Sequence, residues 1–262
     1  MSADRDRNGT ANGSVQVVQK SAQILDCFSA TTPRLQASEI VRRTGLPSST
    51  VARILRTLVR ENLLQREGTS YSIGLRVIAW SAAATAASDL IATARPLVTA
   101  LRDRCGECCG LQVRQGGRRV TVIWAQSTHS IVYRGHVGQV MPLQPSAAGK
   151  VFMAFDPEVL ALVLDEGLTA RTPRTVVDPA VLRGQLEEVR EQGWAFSEEE
   201  LEPGLNSLAV PVRSSDGRVI AAVSLGGPSH RLTSARAKDL AVQAIDCASA
   251  IAEGRMWRGN DG

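Results

Sequence analysis

Between Leu35 and Leu63 the chain reads LQASEIVRRTGLPSSTVARILRTLVRENL, and its apolar residues fall at helical spacing on both sides of a Thr44-Gly45-Leu46-Pro47 break. In the second segment Val51, Ile54, Leu55 and Leu58 stand at i, i+3, i+4 and i+7. They make one apolar face and leave Ser48, Ser49, Thr50, Arg53 and Arg56 to solvent or a partner. Gly45 suits the left-handed position that ends a helix, Pro47 suits the first helical position, and Ser48 or Ser49 can satisfy early amides. The pattern predicts a helix-turn-helix whose second helix enters a DNA major groove. Gln36 stands three residues before Glu39, where a capping box would carry Ser or Thr, so that helix start is expected to fray and Gln36 is free to donate to a phosphate.

After Leu63 the period shortens. Leu63 to Arg66 and Ser70 to Ile73 flank a turn at Glu67-Gly68-Thr69, the pattern of a two-stranded wing that sets Arg66 and Thr69 beside the phosphates or the minor groove. An amphipathic helix precedes the pair, with Ile24, Leu25 and Phe28 on its buried side. Val77 to Ala94 holds eight alanines in eighteen residues and predicts a linker helix, either a plain spacer or a surface for a second chain. Asp89 interrupts its apolar run, so no membrane span is expected there.

Beyond Gly110 strands and helices mix. Leu111 to Arg114 and Val120 to Trp124 read as a hairpin about Gln115-Gly116-Gly117, with Ser130 to Tyr133 as a third strand. Asp156-Pro157 and Asp178-Pro179 are each a cap followed by a first-position proline, and Leu182, Leu186 and Val189 form one stripe. Ser207 to Val212 and Val219 to Leu225 read as strands around a Ser214 to Gly217 turn. A closing helix from about Thr233 to Gly254 turns Leu240, Ile245 and Ile251 inward.

Charge separates the DNA-binding reading from a plain helical hairpin. Residues 1–76 carry 11 Lys+Arg against 6 Asp+Glu, a net +5, while residues 77–262 carry 19 against 20, a net −1. A module that neutralises phosphates beside one that does not has this distribution. The expected division is a mobile tail over 1–13, a winged helix-turn-helix domain over 14–76, a linker helix over 77–95 and a second domain over 96–262. The tail is polar, with no apolar run, as in a cytoplasmic protein. The five cysteines, Cys27, Cys105, Cys108, Cys109 and Cys247, include a CxxCC cluster that invites a metal. No second CxxC accompanies it and His129, His136 and His230 lack ligand spacing, so buried reduced thiols are expected, with neither metal nor cofactor.

Four segments in order carry a family resemblance: the winged module ending in Ser72-Ile73-Gly74-Leu75-Arg76, PLQPSAAGKVFMAF at Pro142 to Phe155, QGWAFSEEELEPGLNSLAVPV at Gln192 to Val212, and AAVSLGGPSHRLT at Ala221 to Thr233. The chain from Val15 onward resembles the IclR family of bacterial transcription regulators. The resemblance implies an α+β chain with a GAF-like α/β effector domain, a homodimer or homotetramer, double-stranded operator DNA as partner, and repression or activation of a nearby operon.

In the second domain Ser146, Ala148, Gly149 and Lys150 open an apolar helix, a start that either simply turns tightly or receives a small anion such as a carboxylate. Gln144 and Val151 exclude a P-loop. The resemblance places Glu198, Ser207 and Ser224 opposite that helix start, with Ser207 where a cysteine can occur and Gly226 where a second serine can occur. The resulting room favours a small organic acid of larger or aromatic kind. Glu198 reads equally as part of a solvated acidic run with Glu199 and Glu200. No HExxH, GxSxG, GxGxxG or Walker sequence is present, so an enzyme with an accessory DNA module is the weaker alternative. A DNA binder without a ligand is a third.

Overall fold

The computed structural model describes residues 15–258, and the expected tail over 1–13 lies outside them. The chain forms two compact units that divide at Ala84 and Thr85. In the first, α1 (Gln16–Leu25), β1 (Arg34–Gln36), α2 (Ala37–Thr44), α3 (Ser48–Arg60), β2 (Leu64–Glu67) and β3 (Ser70–Ile73) are followed by α4 (Arg76–Ala86). The three strands pair antiparallel in the order β1-β3-β2. Ile24, Leu35, Ile40, Val51, Ile54, Leu55, Leu58 and Leu64 make one core, and each buried side chain contributes roughly 1.5–3 kcal/mol.

Gly45 ends α2 in the left-handed region at φ 66°, its N–H bonded to the Val41 carbonyl. Pro47 occupies the position before α3 rather than its first turn, and no side chain caps that helix, so neither Ser48 nor Ser49 plays the expected capping part. β1 was not foreseen: three residues are too few to show an alternation. Gly74 lies against the Asn62 carbonyl, where a Cβ would sit 2.1 Å from the oxygen, and the Arg76 guanidinium bonds the Glu61 carbonyl at 3.0 Å. The wing is thereby returned to the end of α3.

The helix expected over residues 77–95 is two helices, α4 and α5 (Asp89–Cys105), separated at Ala87 and Ser88. The Ser88 hydroxyl caps α5 by accepting from the Ile91 N–H at 3.3 Å. Ala94, Val98 and Leu101 of α5 pack into the core of the second unit. Among the described residues no single helix is long and apolar enough to cross a membrane; α4 and α5 reach that length only when taken together across their break.

The second unit continues with β4 (Cys108–Gln115), β5 (Arg118–Ala125), β6 (Val140–Pro142), α6 (Ala147–Phe155), α7 (Pro157–Glu166), α8 (Pro179–Gln192), β7 (Ala195–Glu198), β8 (Leu205–Arg213), β9 (Val219–Pro228) and α9 (Ser234–Arg258). Its sheet runs β6-β5-β4-β9-β8-β7 with every neighbouring pair antiparallel. Residues 130–133 are irregular, and Val140–Pro142 takes the edge position beside β5 instead. One sheet face packs against α5 and α9 through Leu111, Ile123, Leu208, Val210 and Val223. The other carries α6, through small residues such as Ala147, Ala209 and Ala222.

On α9 the inward stripe is Ala237, Leu240, Ala241, Ala244, Ala248 and Ile251. Ile245, expected inside, is 38% exposed, one position off that stripe. Buried Glu107 receives Arg231 at 2.6 Å and Arg236 at 2.9 Å, fixing the approach to α9 against the start of β4. Asp156 and Asp178 cap α7 and α8 ahead of their prolines. Asp178→Ala is expected to cost about 1 kcal/mol in a urea titration, and no change in midpoint would contradict the role of that cap.

Candidate functional site

On α3, Ser49, Arg53 and Arg56 stand at i, i+4 and i+7 and are exposed, on the side opposite buried Val51, Ile54, Leu55 and Leu58. Ser48 is exposed beside them and Thr50 is half-buried. Arg42 and Arg43 on α2 are drawn to Glu39 at 2.8 and 3.0 Å, which holds that carboxyl below its usual range. Among the described residues no ion pair engages Arg53 or Arg56. Gln36, Arg66 and Thr69 are also exposed; Arg66 Nε bonds the Gly68 carbonyl at 2.9 Å and its guanidinium lies 5.8 Å from the Tyr71 ring.

The second unit encloses a small cavity, with about 380 Å³ of empty space once its open mouth is counted. Its polar lining is Gln112, Arg119, Ser146, Ser207 and Ser224, and its aromatic lining is Trp124 and Tyr133. Ala148 and Gly226 complete two sides without bulk. The two rings meet edge to face at 5.6 Å between centroids.

Of the seven residues expected here, Ser146, Ala148, Ser207 and Ser224 lie on the cavity, and three do not. Gly149 faces the loop before α6: a Cβ there would sit 1.7 Å from the Leu143 carbonyl oxygen, so its role is close packing. Gly149→Ala is therefore expected to destabilise the unit by about 3 kcal/mol, read as a lower urea midpoint; a neutral variant would disprove the close approach. Lys150 is buried and ion-paired with Glu200, with its Nζ also 3.5 Å from the Phe196 carbonyl. Glu198 is exposed and bonds Arg174 at 3.3 Å. The inward acid of the SEEE run is Glu200, because Glu199 adopts φ 54° at the end of β7 and breaks the alternation.

Arg119, Gln112, Trp124 and Tyr133 were not foreseen. A bulge brings Arg119 and Trp124 together: Leu111 pairs with Ile123 and Gln112 with Thr121, leaving Val122 unmatched. The extra residue shifts the phase of β5, so that Arg119 and Trp124, five apart, share the face of Gln112 and Ser224. Gly110, paired with Trp124, leaves space for the indole: a Cβ would come 3.1 Å from it.

The polar groups form a directed chain. Arg119 Nη1 donates to Gln112 Oε1 at 2.9 Å, which turns the Gln112 amide N–H toward Ser224 Oγ at 3.2 Å. Ser207 Oγ accepts from the Ala147 N–H at 3.4 Å, and Ser146 Oγ caps α6 from Gly149 N at 3.0 Å while donating to the Leu143 carbonyl. Arg119 is buried, its Nε has no partner, and desolvation lowers its pKa to about 10. Among the described residues no acidic side chain lines the cavity.

The CxxCC cluster is internal. Cys105 Sγ lies 3.5 Å from Cys109 Sγ, whose hydrogen bond brings the Cys105 thiol down to about 7 and raises Cys109, while burial raises Cys108. Among the described residues no group of three or more His, Cys, Asp or Glu side chains is placed to hold a metal ion.

Two family models match the chain: the IclR helix-turn-helix domain over residues 17–68 and the bacterial transcriptional regulator IclR C-terminal domain over residues 82–253. The transcriptional repressor AllR of Escherichia coli strain K12 is 31% identical over 241 residues, covering 88% of this chain and 89% of its own. Among solved structures, an IclR transcriptional regulator from Alicyclobacillus acidocaldarius superposes with a TM-score of 0.83 at 27% identity, covering 92% of this chain and 99% of that one. An IclR homologue from Microbacterium hydrocarbonoxydans, solved in complex with 4-hydroxybenzoate, does so at 0.76 with 25% identity, covering 91% and 98%. A helix-turn-helix unit with a free basic face, joined to a unit of this topology and matched by both models, places the chain in the IclR family of bacterial transcription regulators.

Proposed function

We propose that the chain binds a pseudo-palindromic operator through α3 and changes its occupancy when a small organic acid, of aromatic kind, enters the cavity of the second unit. The observation that carries the first half is the pairing on α3 of a sealed aliphatic side with a side on which Ser49, Arg53 and Arg56 are exposed. Ser48, Ser49, Thr50, Arg53 and Arg56 would meet the major groove and its phosphates, while Gln36, Arg66 and Thr69 position the unit from the flanks. The uncapped first turn of α3 leaves amides for a phosphate oxygen.

For the second half, the Trp124–Tyr133 pair and the serines of the cavity suit a small ring bearing oxygen atoms, and the 4-hydroxybenzoate complex of a structural neighbour supports that class. Two operator half-sites call for two copies. α4, which buries none of its residues and leaves Ile78 and Trp80 exposed, is a surface on which copies can pair as a homodimer or within a homotetramer. A ligand acts by favouring one of two arrangements of such an assembly, in proportion to its differential affinity.

The test is selection from a random pool of duplex DNA by the full chain. The expected consensus holds two inverted half-sites about 10 base pairs, or a multiple, between centres, and its retention shifts when a responsive acid is added. A consensus without repeated half-sites would sink the operator reading, and retention indifferent to every carboxylic acid tried would sink the sensor reading.

A further inference from the structure

Resting on the reading of the second unit as a sensor of organic acids, we infer that Arg119 is the receptor for an ionised carboxylate and that the cavity selects aromatic monocarboxylates over amides and esters of the same shape. Arg119 reaches the cavity only because of the bulge at Val122, and it is 6% exposed with its Nε–H unpartnered. Its Nη1 occupies Gln112 Oε1, and that contact fixes the direction of everything downstream. The Gln112 N–H then points at Ser224, so the Ser224 hydroxyl accepts and has its own proton to give; Ser207, accepting from the Ala147 N–H, is in the same position. The lining therefore offers donors and one buried positive charge, with no acidic side chain among the described residues to balance it. A buried guanidinium is costly without a counter-charge and strongly attractive to one. A carboxylate supplies both the charge and the acceptors. An amide would set its own N–H₂ against donors, and an ester would leave the charge unbalanced. The ring of the ligand then lies toward Trp124 and Tyr133.

The experiment measures binding to the full chain by calorimetry and thermal shift, with 4-hydroxybenzoate, benzoate, phenylacetate and acetate as carboxylates and with 4-hydroxybenzamide and methyl 4-hydroxybenzoate as neutral isosteres. Wild type is expected to prefer a carboxylate over its isosteres by roughly 100-fold or more. Arg119→Met should abolish that preference while melting at or above the unliganded wild-type midpoint, since it removes a desolvated charge. Arg119→Lys should recover part of the preference. Should Arg119→Met fail to fold, Gln112→Leu serves as the second probe, with the preference expected to fall about tenfold. Equal binding of acid and amide by wild type, or an unchanged preference in the variant used, overturns the inference while the sensor reading stands. If no carboxylate binds wild type, both fall.

Discussion

Replacing Arg53 and Arg56 together by Ala is expected to lower affinity for the selected operator by roughly 100-fold at physiological salt and to flatten the dependence of log K on log salt by about two. Both guanidiniums are exposed on α3 and neither shares an ion pair among the described residues, so their charge is available to phosphates or to guanine edges. Each phosphate contact removed takes away nearly one released counterion, and each charge-assisted bond is worth roughly 1.5–3 kcal/mol. Stability should change little, because neither residue packs into the core formed by Ile40, Val51 and Leu55. Arg42→Ala offers the contrast. That residue is already engaged by Glu39, and its loss should cost less than tenfold. A salt titration of the double variant with the wild-type slope would remove Arg53 and Arg56 from the interface.

The largest stability effect is expected at Lys150. Lys150→Met leaves the Glu200 carboxylate buried without its cation, a loss of about 3–5 kcal/mol. At roughly 2–4 °C per kcal/mol for a unit of this size, the melting midpoint should fall by roughly 10 °C. Glu200 also holds position through its backbone, whose carbonyl accepts from Thr175 Oγ1 at 2.6 Å, so the carboxylate has little freedom to swing into water. Removing both charges at once, as Lys150→Met with Glu200→Leu, should recover most of the loss because the remaining groups are apolar. A single variant melting within 2 °C of wild type, an interval of roughly one kcal/mol, would show that the pair contributes little. Since neither residue lines the cavity, the double variant should keep its response to carboxylates.

The legibility of this chain followed its regularity. The helix-turn-helix was readable because Val51, Ile54, Leu55 and Leu58 hold one helical phase, and all four are buried. Asp156 and Asp178 announced α7 and α8 through cap chemistry that acts over three residues. The parts that escaped depend on a change of phase that leaves no mark in composition. Val122 adds one residue to β5 and brings Arg119 to the cavity face, where a strict alternation would have sent it to the face opposite Trp124. Glu198 follows buried Ser197 on the outer face, and Glu199 turns into the left-handed region, so that the inward acid is Glu200. On α9 the alanines, not the larger Ile245, mark the inward side, because close approach to β8 favours small residues there. Tyr133 could not be placed from sequence at all: it stands in an irregular segment, held where its carbonyl accepts from Gln126 Nε2 at 3.0 Å.

The glycines around Trp124 have an optical consequence. Gly110 lies against one part of the indole and Gly135 against another, each so near that a Cβ would come within 3.1 and 2.8 Å of ring atoms. An aromatic chromophore held this way at the cavity wall has one orientation and one dielectric surrounding, so its emission should be narrow in wavelength and should respond to whatever displaces solvent beside it. With Trp80, Trp194 and Trp257 exchanged for phenylalanine, the protein would carry a single tryptophan reporting occupancy of its own chamber.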